Sequence, residues 1–451
     1  MPLPEARILP RAEHCISRQD IDQDALKVLN RLHRYGFKAY LVGGGVRDLL
    51  LGRRPKDYDI GTNATPVEVL ELFRNSRVIG RRFPIVHVLF SQKKFIEIAT
   101  FRSLEEDKDS SDGLPTDSDS LEEKERLLEE ADSLLDENSE VIEQLPVRKR
   151  KRPSPLEIAA TQHYGTPAED ALRRDLTING LFYSIDDFSV IDYVGGLEDL
   201  KAGVVRSIGD PMRRFEEDSV RMLRAVRHAA RIGFKIEAET LTAIKHHRKL
   251  LGECNRARLI EEFYRDLRGG ASVATLKLLK ETGLLSELLP ELETLLPEED
   301  VDPMTWKRLA VLDRDIIEGK EIGNPVLLAL LLAFPMIEQI KRDKNSKDRR
   351  VDYGRAVYRF LKPLTSKLGV SRRDTEQLFL IVISQRRMRS FLDGGAIPRF
   401  LKSKAYFDDA FRLLAMDAEA RGISLPDLRF TLGNQRRRSG RRRRNGRRRR
   451  S

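Results

Sequence analysis

Apolar positions along the chain follow two regimes. Up to about residue 205, short β-like runs alternate with helical periods. Ile21, Ala25, Val28, Leu29 and Leu32 recur at helical spacing. They predict a helix capped by Ser17, running through Arg34 and ended by Gly36. Ala39 to Val42 predicts a strand that breaks at Gly43-Gly44-Gly45. A short helix over Val46 to Leu51 follows, then a turn at Gly52 to Pro55 and a second strand over Lys56 to Ile60. Thr65-Pro66 opens another helix, with Val67, Val69, Leu70, Leu72 and Phe73 apolar, because proline suits a first helical turn. Residues 78–90 predict a hairpin-like strand segment in which Ile85 to Phe90 is buried on both faces. Residues 94–101 predict a strand with Glu97 and Ile98 on opposite faces. Helix resumes at Pro167, and residues 190–200 supply a strand and a glycine turn.

From Asp210-Pro211 onward the period is helical. One helix is expected over 213–232 and further helices over 256–290. Residues 300–432 are expected to be helical with Pro and Gly interruptions and a loose basic stretch at 341–350. The pattern therefore predicts an α/β head with a small mixed β-sheet over 1–205, then an all-α neck over 206–290 and an all-α body over 291–432.

Two segments fall outside both regimes. Residues 103–160 are acidic and carry Ser and Pro. Their charge and low apolar content predict disorder or a loose helix around 120–145. They end in a basic cluster, Arg148 to Arg152. Residues 433–451 are arginine with Gly and Ser, a composition that cannot pack. Composition sharpens this division. The 451 residues carry a net charge of +11, with 40% hydrophobic and 34% charged residues. Residues 436–451 hold 11 arginines and no acid, and without them the chain balances at 71 of each sign. Residues 103–143 hold 17 acids against three bases. The remainder is thus moderately basic, which suggests a polyanionic partner, most simply nucleic acid. The arginine tail suits phosphates bound without sequence preference and with strong salt dependence.

Several classes are disfavoured. Two cysteines far apart, Cys15 and Cys254, make neither a disulfide framework nor a metal cluster and fit a reducing, cytoplasmic setting. The N-terminus shows no apolar secretory core. The longest apolar run, Pro325 to Phe334, falls far short of the ~20 residues of a membrane span and predicts a buried helix. The seven histidines are scattered without metal-ligand spacing.

The candidate chemistry lies in residues 38–60. Asp57 and Asp59 share a face if both lie on one strand. Two such carboxylates repel each other unless a cation lies between them, and hard oxygen ligands suit Mg²⁺. A lone Asp-x-Asp is more often a solvated strand face. Here it follows a strand, a glycine turn and a short helix within 23 residues. The glycines let the backbone approach a triphosphate and offer it N–H groups. The stretch is neither a Walker loop nor a dinucleotide fingerprint. Glu97 by itself reads as a solvent-facing residue; an equally weighted reading, a third carboxylate, comes only from the family resemblance given next.

LVGGGVRDLLLG followed by KDYDI resembles the head of the polymerase-β-like nucleotidyltransferases that extend RNA without a nucleic-acid template. These are the bacterial poly(A) polymerases and the tRNA CCA-adding enzymes. RRDLTINGL (173–181), DYVGGLEDL (192–200) and EEDSVRMLRAVRHAARIGF (216–234) follow in that family's order. The likeness is close over about 14–102 and 165–290 and loose elsewhere, and residues 103–160 are longer than the family's loop. It implies that Asp57 and Asp59 hold Mg²⁺ and that Asp175, or Glu97, completes the acidic cluster. It implies that Gly44, Arg47 and Arg174 cradle the triphosphate. Asp218 and Arg221 would then read the base, with Arg224 beside them. A carboxylate accepts from an exocyclic amine while a guanidinium donates to the adjacent ring nitrogen, which selects A or C over U or G. On a single helix Asp218, Arg221 and Arg224 would line one face.

GRRFPIVHV (80–88) resembles the poly(A) polymerase branch. That favours AMP transfer from ATP to RNA 3′ ends over CCA addition to tRNA from CTP and ATP. An inactive RNA-binding protein would lack a carboxylate or a phosphate-binding residue, and none is missing. The sequence does not say whether RNA-decay factors recruit the chain.

Overall fold

The computed structural model describes residues 3–80, 84–91, 94–104, 164–295, 303–346, 353–392 and 395–425. The acidic segment beyond 104, its basic cluster, Arg81 to Phe83 and the arginine tail lie outside the described residues. Contacts divide the chain into two compact units. One comprises Met1–Arg265 with Ala274–Leu288; the other comprises Asp266–Val273 with Leu289–Ser451. The head and most of the expected neck thus share a unit.

In the first unit, strands β1 (Arg7–Leu9), β2 (Ala39–Val42), β3 (Asp59–Thr62), β4 (Ser76–Ile79), β5 (Ile85–Leu89), β6 (Phe95–Thr100), β7 (Leu181–Tyr183) and β8 (Val190–Asp192) form one sheet in the order β1-β8-β7-β2-β3-β6-β5-β4. β3 and β6 run parallel; the other neighbours are antiparallel, so the sheet is mixed as expected.

Helix α1 (Gln23–Arg34) buries Ala25, Leu26, Val28, Leu29 and Leu32. Its cap is Asp22 rather than Ser17. The Asp22 carboxylate accepts from the N–H groups of Asp24 and Ala25 at 2.9 and 3.3 Å. Ser17 instead caps a separate 3₁₀ turn, Arg18–Asp20, whose Asp20 side chain reaches back to it. Helix α2 (Gly44–Leu50) begins two residues earlier than expected, so Gly43 alone makes the turn, at φ 71°. Helix α3 (Pro66–Leu72) has the proline start, with Thr65 and Glu68 closing a capping box.

The expected strand over Lys56 to Ile60 starts only at Asp59. Asp57 precedes it, with its carbonyl close to the first turn of α2: a β-carbon on Gly45 would lie 3.4 Å from it. The structure thus places Asp59 within the strand and Asp57 just before it.

Helix α4 (Pro167–Arg173) is capped by Thr166, and α5 (Gly196–Ala202) follows β8. Asp192 accepts from the N–H groups of Val194 and Leu197, both at 2.9 Å, so the DYVGGLEDL turn is tied to its own strand. A two-stranded sheet pairs β9 (Val204–Val205) with β10 (Lys235–Ile236). The single helix expected over 213–232 is two, α6 (Pro211–Glu217) and α7 (Val220–Ile232). Asp218 sits between them in extended conformation, φ −152°, and its carboxylate accepts from Val220 N–H at 3.2 Å. That local bond competes with helical continuation. Helices α8 (Ala238–His247) and α9 (Arg256–Leu267) follow.

Both faces of the eight-stranded sheet are covered differently. Leu41, Ile60, Val86, Val88, Ile96, Ile98 and Tyr183 join one large core with α1 and α3. The opposite face carries a small apolar patch, Val42, Phe101, Ala171 and Phe182.

The second unit is helical. Val326 to Ala333 are all buried in the helix Asn324–Ser346, as the apolar run implied. Pro335 and Pro363 lie inside helices rather than interrupting them. Arg308 Nε meets Asp417 Oδ1 at 2.6 Å, both side chains buried, and its guanidinium lies 3.9 Å from the Phe334 ring centroid. No described helix is long and apolar enough to cross a membrane.

Candidate active site

Strand register builds the site on the less covered sheet face. Val42 pairs with Asp59 and with Phe182, and Asp59 pairs with Glu97. Residues paired across neighbouring strands, which lie about 4.8 Å apart, point to the same side. Asp59 and Glu97 are therefore adjacent carboxylates on the face holding Val42 and Phe182. Glu97, left open between two readings, stands in line with Asp59. Asp57 lies exposed two residues upstream.

The glycine turn abuts this pair. Gly43 needs its positive φ, and a β-carbon there would lie 3.0 Å from Arg174 Nη1. Arg174 is thus packed onto the turn. Its Nε and Nη2 donate to Asp170 Oδ2 at 3.1 and 2.8 Å, its Nη1 donates to the Asn179 carbonyl at 3.3 Å, and it lies over the Phe182 ring at 5.3 Å.

Arg47 sits beneath the turn. It is 1% exposed and donates through Nε and Nη2 to Asp48 Oδ1 at 2.9 and 2.7 Å. Its Nη1 donates to Asn179 Oδ1 at 2.7 Å and lies 3.1 Å from His228 Nδ1. Burial lowers the Arg47 guanidinium from its ordinary value, and Asp48 opposes that shift. Burial, then the neighbouring Arg47 and Arg227, push His228 well below the usual imidazole value, so the ring is neutral and accepts at Nδ1.

Asp175 is gathered with arginines. Its Oδ1 accepts from Arg221 Nε at 2.9 Å and its Oδ2 from Arg224 Nη1 at 2.8 Å. Burial alone would raise this carboxyl, yet Arg224 and Arg221 hold it below the carboxylate range. Arg224 also meets Glu262 at 3.3 Å, and Arg227 meets Glu262 at 2.5 Å. Glu262 is 2% exposed. Burial would raise it, but Arg227, Arg224 and Arg265 bring it down to about 2. Burial would lower Arg224, and Asp175 and Glu262 raise it instead.

Asp218 is not one helical step from Arg221, as the unbroken helix had implied. Its Oδ2 is held by Arg258 Nη2 at 2.6 Å, from α9. Arg221 and Arg224 do share a face of α7. Arg214 fixes the RRD segment by donating to the carbonyls of Arg173 and Arg174, both at 2.8 Å.

Arg258, Glu262, Asn179 and His228 escaped the sequence reading. One signal was present: Arg258, Glu262 and Arg265 stand at i, i+4 and i+7 of an amphipathic helix, a charged stripe beside buried Ile260, Phe263 and Tyr264. Among the described residues no three His, Cys, Asp or Glu side chains stand close enough to hold a metal. Asp59 and Glu97 are register partners whose hard oxygens match Mg²⁺ chemically.

Comparison with known proteins agrees with this architecture. Residues 39–206 match the model described as the poly(A) polymerase head domain, and residues 233–296 match the model described as a probable RNA and SrmB-binding site of polymerase A. The structure of the Bacillus stearothermophilus CCA-adding enzyme in complex with CTP shares the fold, with a TM-score of 0.53 at 22% identity over 88% of this chain and 81% of that one. Poly(A) polymerase I of Haemophilus influenzae is 32% identical over 93% of this chain and 85% of its own length. The chain belongs to the poly(A) polymerase family. Poly(A) polymerase I of Escherichia coli O6:H1 is 40% identical over 75% of this chain, and the match spans 66% of that relative's length.

Proposed function

We propose that the chain adds AMP from ATP to RNA 3′ ends without a template, as a polynucleotide adenylyltransferase of the cytoplasm, releasing pyrophosphate. The observation that carries this reading is the register placing Asp59 beside Glu97, next to a glycine turn on which Arg174 is packed.

In this reading Asp57 and Asp59 hold Mg²⁺ together with the neighbouring Glu97, which also orients the RNA 3′-hydroxyl. When bound, the ion supplies positive charge to the attacking and leaving oxygens. Gly44 offers its backbone to the triphosphate and Arg174 its guanidinium. Arg47 supports the same phosphates from below by holding α2 to Asn179. Asp218 accepts from the adenine amine, and Arg221, whose Nε and Nη1 are engaged, donates through Nη2 to ring N1. Asp175 contributes by fixing Arg221 and Arg224. Residues 233–296, matched by the RNA-binding model, and the arginine-rich composition of residues 436–451 favour RNA as the polyanionic substrate.

The discriminating experiment supplies Mg²⁺, an unstructured RNA oligonucleotide and a tRNA lacking its CCA end, each with ATP, CTP or both. Long ladders with ATP alone on the oligonucleotide are expected. Three-nucleotide addition confined to the tRNA and requiring CTP would replace this reading with CCA addition. Absence of incorporation by folded protein would leave an RNA-binding protein.

A further inference from the structure

The row of polar side chains on the open face does not end at Glu97. The antiparallel pairing of β5 with β6 sets His87 opposite Glu97, so Asp59, Glu97 and His87 cross three strands in one line. His87 Nε2 lies 3.1 Å from Glu97 Oε1. The imidazole is 4% exposed and stacks on Phe95, with ring centroids 4.3 Å apart and planes inclined by 8°. Phe95 is two residues before Glu97 on β6 and so shares its face. The flanking Val86 and Val88 are buried in the core on the other side of the sheet. Ring and backbone of His87 are therefore both fixed by packing.

We propose that His87 is a positioning residue for Glu97, holding this carboxylate in line with Asp59. The Glu97 side chain is 32% exposed. One of its two strand neighbours in the row, Asp59, is another carboxylate, whose repulsion favours conformers turned away from the site. An ionised carboxylate only accepts, so the contact is Nε2–H donating to Oε1. Anchoring Oε1 in this way limits the orientations open to the carboxylate as a whole, including the oxygen that would meet a metal ion or the RNA hydroxyl. The histidine of the GRRFPIVHV segment thereby acquires a physical task in the reaction without touching a reacting atom. This inference rests on the reading of Asp59 and Glu97 as the catalytic carboxylates.

The test uses the full chain and three variants, His87→Leu, His87→Gln and Glu97→Gln. Leucine keeps the buried volume and removes the donor, whereas glutamine keeps a donor of similar reach. Three quantities are read: thermal midpoint, Mn²⁺ binding to the RNA-free protein by electron paramagnetic resonance, and kcat and KM for ATP on an oligonucleotide primer. For His87→Leu, about a tenfold fall in kcat is expected, roughly the worth of one charge-assisted hydrogen bond. Mn²⁺ affinity should weaken severalfold, with KM for ATP within twofold. His87→Gln should recover most of both, and adding His87→Leu to Glu97→Gln should cost nothing further. The proposal is overturned if His87→Leu keeps wild-type Mn²⁺ affinity and kcat, if glutamine does no better than leucine, or if the losses of the double variant multiply. Mn²⁺ affinity that falls in His87→Leu and returns in His87→Gln, in a protein whose wild type adds no AMP, would uphold the positioning role while removing polyadenylation.

Discussion

The two faces of the eight-stranded sheet use the same strands for opposite ends. On one face Leu41, Ile60, Ile98 and Val86 close against α1 and α3 into a continuous apolar core. On the other, their immediate neighbours in sequence are Val42, Asp59, Glu97 and His87, with a smaller apolar patch around Val42, Phe101, Ala171 and Phe182 beneath Arg174. One residue along each strand separates stability from chemistry, because successive side chains alternate between faces. Adjacent carboxylates on the open face repel one another. The burial on the closed face supplies the stability that tolerates them.

That contrast can be broken most directly at neighbouring positions. Asp59→Ala should lower kcat by about three orders of magnitude, roughly 4 kcal/mol of transition-state stabilisation, while leaving the urea midpoint unchanged or slightly raised. A midpoint that falls with the activity would show Asp59 to be structural and erase the distinction. Away from the sheet, Glu262→Gln should destabilise the protein by about 3 kcal/mol, read by urea unfolding, because Arg224 and Arg227 lose their buried counter-charge.

The same group sets a pH window. Its folded value of about 2 lies below the unfolded 4.5, so its contribution is complete above about pH 4.5 and is lost as the pH falls toward 2. Wild type and Glu262→Gln should therefore converge in stability across that range. Persistence of the difference at pH 2 would mean that the arginines do not depress this carboxyl.

Arg258→Ala should relax the choice of base, lowering the preference for ATP over GTP about tenfold by releasing Asp218, with little change in the urea midpoint. An unaltered preference accompanied by lost stability would make Arg258 a structural partner only. The smallest effect belongs to the closed face. Ile60→Val should cost about 1 kcal/mol of stability and leave kcat per folded molecule at the wild-type value. A changed kcat there would show that the two faces are mechanically coupled through β3.

Much of this was legible in the residues themselves. The apolar periods located α1, β2, α3, β5, β6 and the buried helix around Pro325 to Phe334, because burial of one face or stripe is written directly into spacing. The glycine turn and the Asp-x-Asp were legible for the same local reason: a backbone needing positive φ at Gly43 and a pair of acids beside it leave a signature within 23 residues. Where two local signals competed, tertiary packing chose. Ser17 and Asp22 both make good caps, and Asp22 took the helix while Ser17 took a separate turn. Asp218 could continue a helix or bond its own backbone, and the arginine on α9 holds it in the second arrangement.

What the sequence by itself determined is the order of motifs, the helix and strand periods and the chemical types available to the site. Each depends on neighbours a few residues away. Only the tertiary structure decided which of these groups meet. Strand register, a contact between residues 38 positions apart, set Glu97 beside Asp59. Helix packing over 46 and 49 positions gave Asp175 to Arg221 and Arg224, and over 40 and 38 positions brought Arg258 to Asp218 and Glu262 to Arg224. Charged side chains reach partners through space, and no period along the chain records which partner the fold will bring within hydrogen-bond distance.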